Sequence, residues 1–177
     1  MTALAEAVDR LRARGTPFAL VGAAALALHG VPRSTRDLDL LTLDVQCLEA
    51  DYWRSIGGGR IEVTVRRGDA ADPLAGVVRL RPSDEAPVDI VVGRHPWQRG
   101  ILERAQPATV DGIVVPVAQA ADLVLLKLFA GGPQDLWDIA QLLGGDEGRT
   151  IARDVEARLP ALPAQCARLW AEVSRAR

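Results

Sequence analysis

Lysine is nearly absent from this chain. Of its 21 basic residues only Lys127 is lysine, the others being arginine, so that single ammonium is a candidate for a specific task. Cysteine is scarce as well. Cys47 and Cys166 are the only two, and neither CxxC nor Cys/His spacing occurs, which argues against a zinc cluster or a redox pair. Both read as unpaired buried thiols of a reducing compartment. The longest apolar run, Val21 to Leu28, is too short to span a bilayer. Residues 2–14 are charged and amphipathic, unlike a signal peptide, so a cytoplasmic location with no membrane partner is expected. The formal net charge of −2 lacks the basic excess that draws a protein to nucleic acid without regard to sequence. Repeats and low-complexity tracts are missing too.

What is present suits one globular domain with a helical appendix. The chain has 177 residues, and 49% are hydrophobic, enough for a sizeable core. Apolar residues recur at helical spacing over residues 2–14, and Gly15 is a stop signal. "TPFALVG" (16–22) reads as a short buried strand, "AAALALHG" (23–30) as a short helix, "VPRSTR" as a polar loop and "DLDLLT" (37–42) as a strand. A helix is expected over 45–56, ending at Gly57-Gly58-Gly59. The alternating runs 60–67 and 75–82 read as an antiparallel pair. Their arginines Arg60, Arg66, Arg79 and Arg81 are expected on an ordinary solvated face, since nearby acidic residues offset their charge, with an RNA-phosphate footprint as the alternative. "VDIVVG" (88–93) is another strand, 95–105 a helix, and 108–117 a hairpin turned by Asp111-Gly112. Helices follow over 118–130, 134–143, 148–159 and 163–175, with tryptophans 53, 97, 137 and 170 at core-like helical positions. The expectation is an α/β core over 1–117 and a helical part over 118–177 packed on it. The fold class is α+β, with a mixed, mainly antiparallel sheet and flanking helices.

One strand is anomalous. Leu38, Leu40 and Leu41 belong in a core, yet Asp37 and Asp39 interrupt them. Strand side chains alternate, so the two carboxylates share a face about 7 Å apart. Like charges at that distance repel, and desolvation adds to the cost. A divalent cation removes both problems, and hard oxygen ligands suit Mg²⁺. Asp89 stands alone in a third strand, where Val88, Ile90 and Val92 face the core. If that strand neighbours 37–42, three carboxylates can hold two magnesium ions, the arrangement used for in-line phosphoryl or nucleotidyl displacement. Upstream, "LVGAAALAL" is a strand, a glycine and a helix start, which aims backbone N–H groups outward as a phosphate site would. "PRSTR" adds Arg33, Ser34, Thr35 and Arg36, all able to hydrogen-bond a phosphate.

This order of strand, Gly, small-residue helix, R-x-T-x-D-x-D and a lone strand Asp resembles the nucleotidyltransferase superfamily of polymerase-β type. Within it the chain is most similar to small bacterial AbiEii-like proteins, many of them toxins of toxin–antitoxin pairs. "VAQAADLVLLKLFAGGPQDLWDIAQLL" is similar to that group's lysine helix, turn and D-x-x-D-I helix, here Lys127, Asp135 and Asp138. The resemblance covers roughly residues 17–143. It implies that Gly22 and Ala23 bind a triphosphate through backbone, that Asp37 and Asp39 hold both metal ions, and that Asp89 completes the second metal site and acts as base. Arg33 and Thr35 would position the strand and contact the nucleotide, with Arg36 beside them. Lys127 would reach the phosphates or the base. The implied activity is Mg²⁺-dependent transfer of a nucleotide from an NTP to a hydroxyl of RNA, protein or a small molecule, with a cognate antitoxin as a partner. The chain has Ala23 where the superfamily usually has Gly or Ser, and a Gly131-Gly132 turn where many relatives carry a basic residue. These departures favour the rival reading, a transferase-like module that binds nucleotide or a protein without turnover.

Overall fold

The structure is a computed structural model that describes residues 2–33 and 37–175. Ser34, Thr35 and Arg36, three of the expected phosphate contacts, lie outside the described residues. Two compact units are present, one comprising residues 2–24 and 37–118, the other 25–33 and 119–175.

In the first unit α1 (Ala3–Ala13) begins where Thr2 accepts a hydrogen bond from the Ala5 N–H, a common N-terminal cap. Its Leu4, Ala7, Val8 and Leu11 are buried at the spacing the sequence predicts. The strands are β1 (Phe18–Val21), β2 (Leu38–Thr42), β3 (Ile61–Arg67), β4 (Leu74–Pro82), β5 (Val88–Gly93), β6 (Gln106–Val110) and β7 (Ile113–Val117). They form one sheet in the order β3-β4-β5-β2-β1-β7-β6. The β2–β5 and β1–β7 pairs are parallel and the other neighbours antiparallel, so the sheet is mixed and mainly antiparallel, as expected. The β6–β7 hairpin turns on Asp111 and Gly112, with φ of 48° and 78°. A two-residue turn with both φ positive matches the right-handed twist of its strands.

Residues 45–59 differ from the expected helix. They form three separate 3-10 turns, Val45–Leu48, Ala50–Trp53 and Ile56–Gly59. Cys47, Leu48, Tyr52, Trp53 and Ile56 are buried, which explains the helix-like spacing. Ser55, Gly57, Gly58 and Gly59 all have positive φ, which a right-handed helix cannot accommodate. Tyr52 is tied in by Thr16, whose hydroxyl lies 2.7 Å from the Tyr52 hydroxyl and donates to Asp44 at 2.8 Å. The short α3 (Arg99–Arg104) follows a 3-10 turn over Pro96–Gln98.

The second unit contains α4 (Ala120–Ala130), α5 (Pro133–Gly144), α6 (Gly148–Arg158) and α7 (Ala164–Arg175). α4 packs against the other three. Its one buried carboxylate, Asp122, is paired with Arg158 of α6 at 3.1 Å, and Arg158 also donates to Gln119 at 2.9 Å. Burial of such a charge requires a partner of this kind. β1 is followed by α2 (Gly22–Leu28), whose residues divide between the units at Ala24 and Ala25. Both cysteines are buried thiols outside any disulfide. Among the described residues no helix is long and apolar enough to cross a membrane.

Candidate active site

Sheet register places the acidic residues. In β2 and β5 the parallel partners are Asp39 and Asp89. In β4 and β5 the antiparallel partners are Arg79 and Asp89, and in β1 and β2 they are Val21 and Asp39. Partners in register point to the same face. Arg79, Asp89 and Asp39 therefore form a row across three adjacent strands, ending beside the β1–α2 junction. Asp37, two residues before Asp39, projects to that face as well. The intervening Leu38, Leu40, Val78, Leu80, Val88 and Ile90 are buried, which keeps the register from slipping.

Arg79 is the residue that sequence reasoning misplaced. It does not lie on a plain solvated face. Its Nε donates to Asp89 Oδ1 at 2.8 Å and its Nη2 to Asp89 Oδ2 at 2.6 Å. The same Nη2 donates to Asp37 Oδ2 at 3.2 Å. The Asp89 side chain is 13% exposed, against 38% for Arg79 and 42% for Asp37. A two-pronged guanidinium–carboxylate bond of this kind is directional and stronger than a neutral one. Hydrogen bonds and charge from Asp89 hold the guanidinium above its usual pKa, outweighing its desolvation. The physical reason is that β4 pairs with β5 as well as with β3. Arg81, on the same face of β4, instead lies 3.9 Å from Glu62 of β3 in solvent, as expected of the group.

Gly22 closes the row. Its φ is +66°, and a Cβ there would overlap Asp39 Oδ2 and lie 2.9 Å from Asp39 Cγ. The turn and the close approach of the carboxylate both require glycine. Ala23 follows in the first turn of α2.

The second unit holds the other expected site residues. The Lys127 ammonium lies 2.8 Å from Asp135 Oδ1 and 2.8 Å from Asp138 Oδ2. Burial lowers its pKa, but the hydrogen bonds and charges of Asp135 and Asp138 outweigh burial and leave it raised. Asp135 also accepts from the Gly132 N–H at 3.1 Å, a helix cap as well as an ion pair. Asp138 is 0% exposed and is also 3.4 Å from Arg33, whose guanidinium stacks 5.4 Å from the centre of the Trp137 ring. Trp137 is 46% exposed, contrary to the expected core position. On α5 the buried stripe runs through Asp138, Ile139, Leu142 and Leu143, and Trp137 lies two residues from Ile139, about 200° around the helix.

The structure thus brings Gly22, Asp37, Asp39 and Asp89 together in the first unit, and Arg33 and Lys127 in the second. A magnesium site was expected at the three carboxylates. Their donor chemistry, oxygens on one face of adjacent strands, fits a hard divalent ion. Their present arrangement is a different one. Both Asp89 oxygens are bonded to Arg79, and no three acidic, His or Cys side chains among the described residues form a ready cage.

No protein-family model and no curated protein sequence matches the chain. Solved structures do. A candidate nucleotidyltransferase from Thermotoga maritima aligns at 19% identity and a TM-score of 0.51, covering 72% of this chain and 82% of its own. An antigenic nucleotidyltransferase-like protein from Paracoccidioides brasiliensis aligns at 17% and 0.47, over 98% and 87%. The antibiotic-resistance factor ANT(2'')-Ia aligns at 13% and 0.48, over 98% and 90%. The seven-stranded sheet, with its acidic row beside the β1–α2 glycine, belongs to a chain that shares its fold with the Thermotoga protein, the nucleotidyltransferase fold.

Proposed function

We propose that this chain is a nucleotidyltransferase that moves a nucleoside monophosphate from an NTP to an acceptor hydroxyl. The observation that carries the reading is the side-by-side register of Asp39 and Asp89, on one face next to Gly22, within a nucleotidyltransferase fold. The backbone N–H groups at Gly22 and Ala23 take the triphosphate. Asp37, Asp39 and Asp89 hold the divalent ions. When bound, Mg²⁺ neutralises phosphate charge and lowers the pKa of the acceptor hydroxyl. Asp89 takes the hydroxyl proton. The acceptor oxygen bonds to the α-phosphorus, the bond from that phosphorus to the bridging oxygen breaks, and pyrophosphate leaves. Lys127 is assigned to the α4–α5 ion pair, because its ammonium already faces two carboxylates at 2.8 Å. Thr35 and Arg36 keep their proposed role at the nucleotide through motif resemblance, whereas Arg33, 3.4 Å from Asp138, is assigned with Lys127 to that ion-pair cluster. An AbiEii-like subgroup and a paired antitoxin rest on the same resemblance over residues 17–143.

A second reading, a nucleotide- or partner-binding module without turnover, is favoured by the Arg79 clamp on Asp89. One experiment separates the two. The protein is incubated with each labelled NTP, Mg²⁺ and, in turn, total RNA, total protein and small polyhydroxylated amines. Transfer predicts label in one fraction with stoichiometric pyrophosphate, reduced at least about 100-fold in Asp39→Asn. Tight Mg²⁺–ATP binding with no pyrophosphate in any arm would establish the module instead.

A further inference from the structure

Arg79 sits where a cation is expected. We propose that Arg79 is a positioning residue that partly offsets the charge of Asp89 and Asp37 and has to release them before a divalent ion binds. The inference rests on the metal-site reading above. Three contacts carry it, two to Asp89 and one to Asp37. Both oxygens of Asp89 are engaged, and one guanidinium nitrogen is shared between the two carboxylates. A dication drawing on those oxygens would meet a fixed positive charge within a few ångströms, with little water between because Asp89 is 13% exposed. Guanidinium and metal therefore compete for Asp89. Side-chain exposure of 38% leaves Arg79 room to swing out. The clamp also serves the fold, since adjacent carboxylates without a counter-charge would repel. Loading accordingly exchanges one cation for another.

Metal affinity itself reads this out. Free Mn²⁺ is followed by electron paramagnetic resonance during titration of the full chain, with circular dichroism confirming that each variant is folded. Arg79→Gln is expected to bind Mn²⁺ at least about tenfold more tightly than wild type, the size of effect a charged hydrogen bond supplies. Arg79→Lys, which keeps charge but loses the fork, should fall between them and keeps the test open should the glutamine variant not fold. Arg81→Gln removes the same charge from the same face of β4 and should change affinity by less than about twofold, because long-range charge effects are screened at the surface. Equal affinity in wild type and Arg79→Gln, or an equal gain in Arg81→Gln, overturns the role of Arg79 and leaves the metal site standing. Absence of Mn²⁺ binding in every protein, or full binding in Asp39→Asn, overturns the metal site and the proposal with it.

Discussion

Gly22 shows how much one residue decides. Its left-handed backbone and its contact with Asp39 are separate demands, and Gly15 shares only the first, with φ of +64° and open space around it. Gly15→Ala should lower unfolding free energy by about 1 kcal/mol, the backbone cost alone. Gly22→Ala should cost about 1 kcal/mol or more beyond that and also displace the Asp39 carboxylate. Urea denaturation of the two variants measures the difference, and equal midpoint shifts would disprove the steric claim. Acidic residues in an apolar strand stand out in a sequence, which is why Asp37, Asp39 and Asp89 were singled out from it. Arg79 was not legible, because arginines on an alternating strand are ordinary until the strand's second neighbour is known.

Elements hold together through the same few charges. In the second unit α4 and α5 are pinned where Lys127 meets Asp135 and Asp138. Asp138→Asn leaves a half-buried ammonium with one carboxylate fewer and should lower stability by about 2–4 kcal/mol. Asp135→Asn, nearer solvent, should cost about 1 kcal/mol. Chemical denaturation at pH 7 checks the ranking, and a reversed order would show that burial of Asp138 does not set the cost. Because the folded-state pKa of Lys127 is raised, its contribution is complete below the ordinary lysine range, near pH 10. It is lost as pH climbs through the raised value, so the Asp138→Asn difference should stay constant from pH 6 to 9. Most strands were legible from alternation, and the β6–β7 hairpin from Asp111-Gly112. Residues 45–59 were not, since burial of Cys47, Leu48, Tyr52, Trp53 and Ile56 copies a helical stripe while four positive φ values break it.

For the whole molecule the sequence announced an α+β class but not a strand order. β2 and β5 are parallel neighbours separated by β3 and β4 in the chain, a pairing that no local pattern encodes. Charge, by contrast, is a global property read directly. With a formal net charge of −2, random single-stranded RNA should show no binding tighter than about 100 μM at 150 mM salt in fluorescence anisotropy. Micromolar affinity for random RNA would mean that arginines gather into a field the overall balance conceals.

The seven-stranded sheet is open at both ends, and each end is guarded. β3 shows solvent Glu62, Thr64, Arg66 and Arg67, so an incoming strand of a second copy would have to bury charge. β6 carries Pro107, opposite Pro116 of β7, and a proline offers no N–H for strand addition. Strand addition by a second copy is thereby disfavoured at both edges, a safeguard written into residues that take no part in the acidic row.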